Sequence, residues 1–208
     1  MDSCCGSTNS LHTTPPSIGS DDFDWTPVLV FAGPLLSTNA NVFPSIAVDP
    51  ANGNYATWSN ASTVGTNVYC SFSGHAGATW SSPGIVNTAP ANTAVFPWVA
   101  AQAGTVDVVY YGTTGANAAG AVWNVYMAQT TNNGASFSQS LVNAISNHVG
   151  VICTQGTACA PGTRNLLDLF EVGIDPLNGL AAIVYVDDTL TTDSAGNPLP
   201  QTVLAQQQ

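Results

Sequence analysis

The chain has 208 residues, 45% of them hydrophobic, and its seven Phe, six Tyr and five Trp supply one sizeable core, which excludes a wholly disordered protein. Only 6% of the residues are charged, and one basic residue against twelve acids gives a formal net charge of −11, so almost nothing is available to neutralise phosphates and nucleic acid is excluded as a partner. No run approaches the ~18 consecutive apolar residues of a membrane helix, so no membrane insertion is expected.

Residues 1–24 are rich in Ser, Thr, Pro and Gly, carry the run Asp21-Asp22-Phe23-Asp24 and show no periodicity; they read as a flexible N-terminal arm. They lack the basic region and apolar core of a signal peptide, so an exported protein would have its leader missing from this chain or would use another route. A surface made mainly of Asn, Thr, Ser, Gln and Gly fits a secreted or cell-surface β-protein. Within residues 27–32 the apolar run Val28-Leu29-Val30-Phe31 reads as a strand that precedes the first full repeat.

From residue 25 to 208 the chain reads as one domain of repeated units. The first, at about 42–90, opens with Val42-Phe43-Pro44, runs through a strand to Asp49-Pro50, turns at Asn52-Gly53, and continues in two alternating strands, Tyr55 to Trp58 and Asn67 to Phe72. A corner at residues 73–80 leads into a fourth strand within Trp80 to Asn87. The second unit, at about 94–143, opens with Val95-Phe96-Pro97, 53 residues after its counterpart, and ends in Leu141-Val142-Asn143 as the first ends in Ile85-Val86-Asn87. An insert follows, and the third unit, at about 168–208, repeats Asp49-Pro50-Ala51-Asn52-Gly53 as Asp175-Pro176-Leu177-Asn178-Gly179, offset by 126. It has three strands and no fourth of its own. The strand at 27–32 could complete it.

The corners are themselves a repeat. Ser73-Gly74-His75-Ala76-Gly77-Ala78-Thr79-Trp80 and Thr130-Thr131-Asn132-Asn133-Gly134-Ala135-Ser136-Phe137 share a hydroxyl, a polar residue, a Gly, a second hydroxyl and an aromatic at fixed spacing, with their glycines 57 residues apart. A tight turn with a special conformation at Gly, a short polar side chain holding loose N–H groups, and a ring pinning the next strand account for that pattern.

The octapeptide resembles the Asp box, Ser-x-Asp-x-Gly-x-Thr-Trp, of sialidases and related bacterial neuraminidase-repeat propellers. His75 and Asn132 stand where that family has Asp; Asn makes much the same turn bonds and His is a poorer mimic. The resemblance implies a structural role for Ser73, His75, Gly77, Thr79, Trp80, Thr130, Asn132, Gly134, Ser136 and Phe137, on the propeller face away from the active site. It implies an all-β, β-propeller-like array of about three four-stranded antiparallel blades. Propellers close with about four to eight blades, so three make an incomplete ring with open edges. Sialidases clamp the substrate carboxylate with three arginines, and one Arg cannot build that clamp, so the resemblance supports the fold and argues against the activity.

Of five cysteines, Cys153 and Cys159 sit six apart in a loop of turn residues with no neighbouring His, and read as a disulfide staple. Cys70, on a strand, is a buried thiol or a partner of Cys4 and Cys5, which could also bond to another chain. Arg164, Asp168 and Glu171 form the densest charged group. An Arg164–Asp168 ion pair fixing the insert is the expected role; as an enzyme, the protein would use Asp168 and Glu171 as a glycosidase carboxylate pair beside Arg164, although a three-residue spacing on a strand sends them to opposite faces. No cofactor is expected, and Asp187, Asp188 and Asp193 could hold Ca²⁺ but read better as a solvated hairpin loop. His148 reads as an exposed loop residue. Among Tyr110, Tyr111, Trp123 and Tyr126, one of each alternating set could face outward or toward a cleft, where aromatic rings stack on sugars, but for most of them packing between sheets is the expected role.

The expected function is a non-catalytic extracellular or cell-surface interaction module, partnering with itself, with glycans, or both. The alternatives are a fragment of a secreted sialidase-like glycoside hydrolase and a structural subunit of an extracellular filament.

Overall fold

The computed structural model describes residues 10–11, 26–33, 37, 42–62, 65–160, 163, 166 and 170–208. Three antiparallel sheets succeed one another along the chain. Sheet 1 takes, in order, β3 (Ser45–Asp49), β4 (Gly53–Ser62), β5 (Gly65–Ser73) and β6 (Gly84–Ile85). Sheet 2 takes β7 (Thr93–Gln102), β8 (Thr105–Thr113), β9 (Val122–Thr130) and β10 (Ser138–Leu141), with β11 (His148–Val149) paired to the start of β9. Sheet 3 has β12 (Glu171–Ile174), β13 (Ala181–Asp187) and β14 (Gln201–Gln206). A small separate pair joins β1 (Ser10–Leu11) to β2 (Phe31–Ala32).

That pair alters the expectation for the early strand. Phe31–Ala32 bonds to Ser10–Leu11 instead of to the outer edge of β14, and the Phe31 ring stacks on Trp58 of sheet 1 at 5.1 Å. Its physical anchor is the apolar face of the first sheet, so it does not supply a fourth strand to the third.

Each sheet has two faces, because side chains alternate along a strand. The face turned toward the next sheet in the chain is its forward face, and the other is its backward face. On sheet 1 the forward face carries Tyr55, Val68 and Cys70. It meets Val99, Val106, Val108 and Tyr110 on the backward face of sheet 2. Sheet 2 then presents Val109, Tyr111, Trp123 and Met127 forward, against Val172, Ile183 and Tyr185 of sheet 3. The innermost strands lead this stacking, with β7 against β3 and β12 against β7.

Sheet 2 is therefore covered on both sides, and its aromatics pack between sheets with none left facing outward. Tyr110, Tyr111, Trp123 and Tyr126 are all buried. Alternation sends them to opposite faces as expected, yet both faces are seams. Burying each such ring contributes about 1.5–3 kcal/mol, more than a typical net hydrogen bond of about 1 kcal/mol, so apolar packing dominates both seams.

Some backbone requirements are visible in glycine. Gly53 has φ +139°, and a Cβ there would lie 2.3 Å from the carbonyl oxygen of Ser73, so no larger residue fits the turn into β4. In the insert, the Cys153–Cys159 disulfide spans the single 3₁₀ turn Gly156–Ala158.

Candidate functional site

The two octapeptide corners fold alike. In the first, Ser73 Oγ accepts hydrogen bonds from the backbone N–H groups of His75 and Gly77, at 3.3 and 2.9 Å, and Thr79 Oγ1 lies 3.2 Å from His75 Nδ1. In the second, Thr130 Oγ1 accepts from the N–H of Asn132 and Gly134, both at 3.3 Å. Asn132 there does more than His75: its Oδ1 accepts from the Ser136 N–H, and its Nδ2 donates to Ser136 Oγ. Both turns place two successive residues at positive φ, Ala76-Gly77 and Asn133-Gly134. Trp80 Nε1 donates to the Gly77 carbonyl, while Phe137 packs against the core beside Gly134 and Cys70.

The second corner also stitches sheets. Asn133 Oδ1 accepts from Asn52 Nδ2 and from the Tyr55 hydroxyl, so the turn of sheet 2 rests on the Asp49-to-Gly53 turn of sheet 1. In that turn, buried Asp49 uses Oδ1 to hold its own Ala51 N–H and Oδ2 to accept from Gly104 N–H of sheet 2 at 2.6 Å. Ser45 Oγ accepts from Val99 N–H across the same seam.

At the other end of β9 lies a polar group that the sequence did not bring together. His148 Nδ1 is 2.8 Å from Asp188 Oδ2, and both side chains are buried. Asn147 accepts from Asp188 N–H through its carbonyl and donates from Nδ2 to the Val186 carbonyl, and Thr189 Oγ1 donates to the Ser146 carbonyl. The segment after sheet 2 is thus tied along the end of β13. This corrects two expectations: His148 is not an exposed loop residue, and Asp187 and Asp188 are not solvated. The reason is the pairing of β11 with the start of β9, which carries His148 back over sheet 3.

Asp187 is engaged by Thr189, through its N–H and Oγ1, and Asp193 by Ala195 and Asn197 in its own turn. Hydrogen bonds from Asn197 hold the exposed Asp193 carboxyl below its ordinary value. Among the described residues no three His, Cys, Asp or Glu side chains group closely enough to hold a metal ion. Glu171 stands exposed on β12, while Arg164 and Asp168 lie outside the described residues, as do Cys4 and Cys5. Cys70 is buried and unbonded to another cysteine, and burial pushes its thiol up to about 12. No helix among the described residues is long and apolar enough to cross a membrane.

The two ends of the array differ: one sheet face is open and the other is partly covered. On sheet 3 the forward face carries Val184, 37% exposed, and Leu204, 58% exposed, beside a cleft of about 320 Å³ lined by Asp175, Asn178, Ala182 and Gln206. Beyond β14 no strand pairs among the described residues. On sheet 1 the backward face exposes Ile46 and Val48 of the edge strand β3, while Ala56 and Ser71 beside them are buried and Phe31 covers Trp58.

Three successive antiparallel sheets, stacked face to face and not closed into a ring, define an incomplete β-propeller-like array. Solved structures agree on that fold. The chain is similar to a protein of unknown function from Dyadobacter fermentans, with a TM-score of 0.53 and 16% identity over 80% of this chain and 50% of that one. It is similar also to the endosialidase of phage phi92, with a TM-score of 0.54 and 13% identity over 89% of this chain and 26% of that one. The chain therefore spans half the length of the first and about a quarter of the second. No family model matches the sequence, and no curated relative matches it.

Proposed function

We propose that this chain is a non-catalytic interaction module of an extracellular or cell-surface protein, and that it works by associating with further copies of itself. The observation that carries the reading is the open third sheet, whose last strand and forward face have no neighbour among the described residues while the equivalent face of each preceding sheet is buried. An unpaired strand and an apolar face are the two features by which β-proteins recruit further sheet. The Cys153–Cys159 disulfide supports the extracellular setting, because such bonds persist in oxidising compartments. The test is molar mass by light scattering across a concentration series, with and without reductant: multiples of the chain mass are expected, and a monomer at every concentration sinks the reading. Loss of the multiples in reductant alone would assign assembly to cysteine links, as in a filament subunit.

A glycan ligand is the second reading, supported by the fold shared with the phage phi92 endosialidase. It is checked on a glycan array. Hydrolysis of aryl glycosides that is abolished by Asp168→Asn would instead favour the hydrolase alternative.

A further inference from the structure

Sheet 1 is covered differently from the sheets that follow it. Sheets 2 and 3 turn their backward faces to a preceding sheet, which leaves Val99 and Val172 only 4% exposed. The backward face of sheet 1 carries Trp58 and Asn60 of β4 with Tyr69 of β5, and the segment ahead of β3 lies on it. The Phe31 ring stacks on Trp58 at 5.1 Å, Tyr69 stacks on the same indole at 6.1 Å, and Ser37 Oγ donates to Asn60 Oδ1 at 2.8 Å. Among the described residues this segment takes no place in the ladder of sheet 1, since Phe31–Ala32 pairs with Ser10–Leu11. It is a strap, held on the face by side chains, where sheets 2 and 3 have a whole sheet.

Two features of the closed strap favour its release. Trp58 is fully buried and its Nε1–H has no acceptor, so closure keeps a donor unpaired at a cost that water relieves on opening. Ile46 and Val48 lie on the same face, opposite Ala56 and Asn54 of β4, and stay 63% and 61% exposed. The strap thus leaves apolar surface that another segment would bury. We propose that the strap is an intramolecular plug, and that the Trp58–Tyr69 shelf beneath it is a docking site for an extended apolar segment of a partner. That segment places an aromatic ring where Phe31 sits, because the chain itself seats a ring there, and aliphatic side chains over Ile46 and Val48. No charged side chain belongs to this set, so the contact selects on apolar shape. The partner binds as the strap lifts, and its apparent affinity falls by the fraction of chains whose strap is closed. The proposal rests on reading the chain as an interaction module, yet the shelf lies at the other end of the array from the open third sheet.

Phe31→Ala in the full chain tests this, read by hydroxyl-radical oxidation of Trp58 and by alkylation of Cys70, both located by mass spectrometry. Trp58 and Cys70 lie on opposite faces of sheet 1, so a lifted strap and an opened sheet leave different records. The variant is expected to oxidise at Trp58 about tenfold faster than the wild type, with Cys70 as slow as before, while Phe31→Tyr keeps wild-type protection. A synthetic peptide of residues 26–33 is then expected to bind the Phe31→Ala chain saturably and to restore protection of Trp58. The same peptide should bind the wild-type chain about tenfold more weakly, because the strap competes, and should lose binding when it carries Phe31→Ala itself. Unchanged oxidation of Trp58 in the variant shows that Phe31 is no plug. Faster alkylation of Cys70 shows that Phe31 belongs to the core of sheet 1, and a peptide that leaves Trp58 unprotected shows that the shelf is no docking site. Each of these results overturns the proposal. None of the readouts depends on molar mass, so a wild-type monomer removes the self-association reading alone.

Discussion

The seam between sheets 1 and 2 and the seam between sheets 2 and 3 are made of different material. The first is lined by Val and Ala with three tyrosines, and side-chain hydrogen bonds cross it at Asp49, Asn52 and Ser45. The second holds Trp123, Met127, Ile152, Leu166 and Ile183, with Tyr111 stacked on Phe170 at 4.4 Å. Ile152, Leu166 and Phe170 come from the insert between the second and third units, so the insert thickens one seam with apolar side chains. Side-chain hydrogen bonds cross the second seam as well, at Tyr111, Asn147 and His148, so the difference teaches that the insertion adds apolar side chains to a joint that keeps its polar contacts.

The sharpest way to break the second seam is Trp123→Ala. The indole is fully buried and its Nε1 donates to the Gly150 carbonyl, so a loss of about 3–5 kcal/mol is expected in urea unfolding. For the first seam the matching test is Asp49→Ala, which strands the N–H groups of Gly104 and Ala51 and should cost about 2–3 kcal/mol. Asp175→Ala at the same repeat position, measured where the chain is dissociated, should cost under about 1 kcal/mol, since its turn faces water. Equal losses for Asp49 and Asp175 would show that the joint across the first seam contributes nothing.

Acid–base behaviour sharpens the contrast further. Asp107, on the forward face of sheet 2, is fully buried; burial raises its carboxyl above the ordinary value, and the hydrogen bond from Gln129 opposes this. A native value above the unfolded one means that the folded chain binds the proton more tightly. Its stabilising share is whole below the unfolded value and is lost as pH rises through the raised native value. Melting temperature followed upward from about pH 4 should therefore fall less in Asp107→Asn than in the wild type. An unchanged slope would remove Asp107 from the account.

The smallest expected effects lie at the two corners. Asn132→Ala frees the Ser136 N–H and should cost about 1 kcal/mol, whereas His75→Ala, which loses one exposed contact to Thr79, should change stability by less than about 0.5 kcal/mol. Thermal melts of the two variants rank the corners directly.

The order of strands was legible because hydrophobic alternation and turn residues are local, and because Val42-Phe43-Pro44 and Asp49-Pro50 return later in the chain. Which faces are covered is not local. Tyr110 and Tyr111 alternate as half-buried strand residues do, and only the stacking of sheets on both sides of β8 buries both. His148 and Asp188, 40 residues apart, meet because β11 folds back onto β9, and nothing in either stretch announces the partner. Phe31 likewise finds Trp58 through an aromatic contact that strand periodicity does not encode.

Cys70 lies under the second corner, its sulfur within van der Waals reach of where a side chain at Gly134 would begin. A thiol pushed up to about 12 and sealed beneath a neighbouring sheet is inert while the sheets stay together. Its alkylation rate, read on the Cys70 peptide by mass spectrometry, is therefore a clock for transient parting of sheets 1 and 2. Slow labelling would record two sheets that part only with global unfolding. Fast labelling would record breathing at the polar rim.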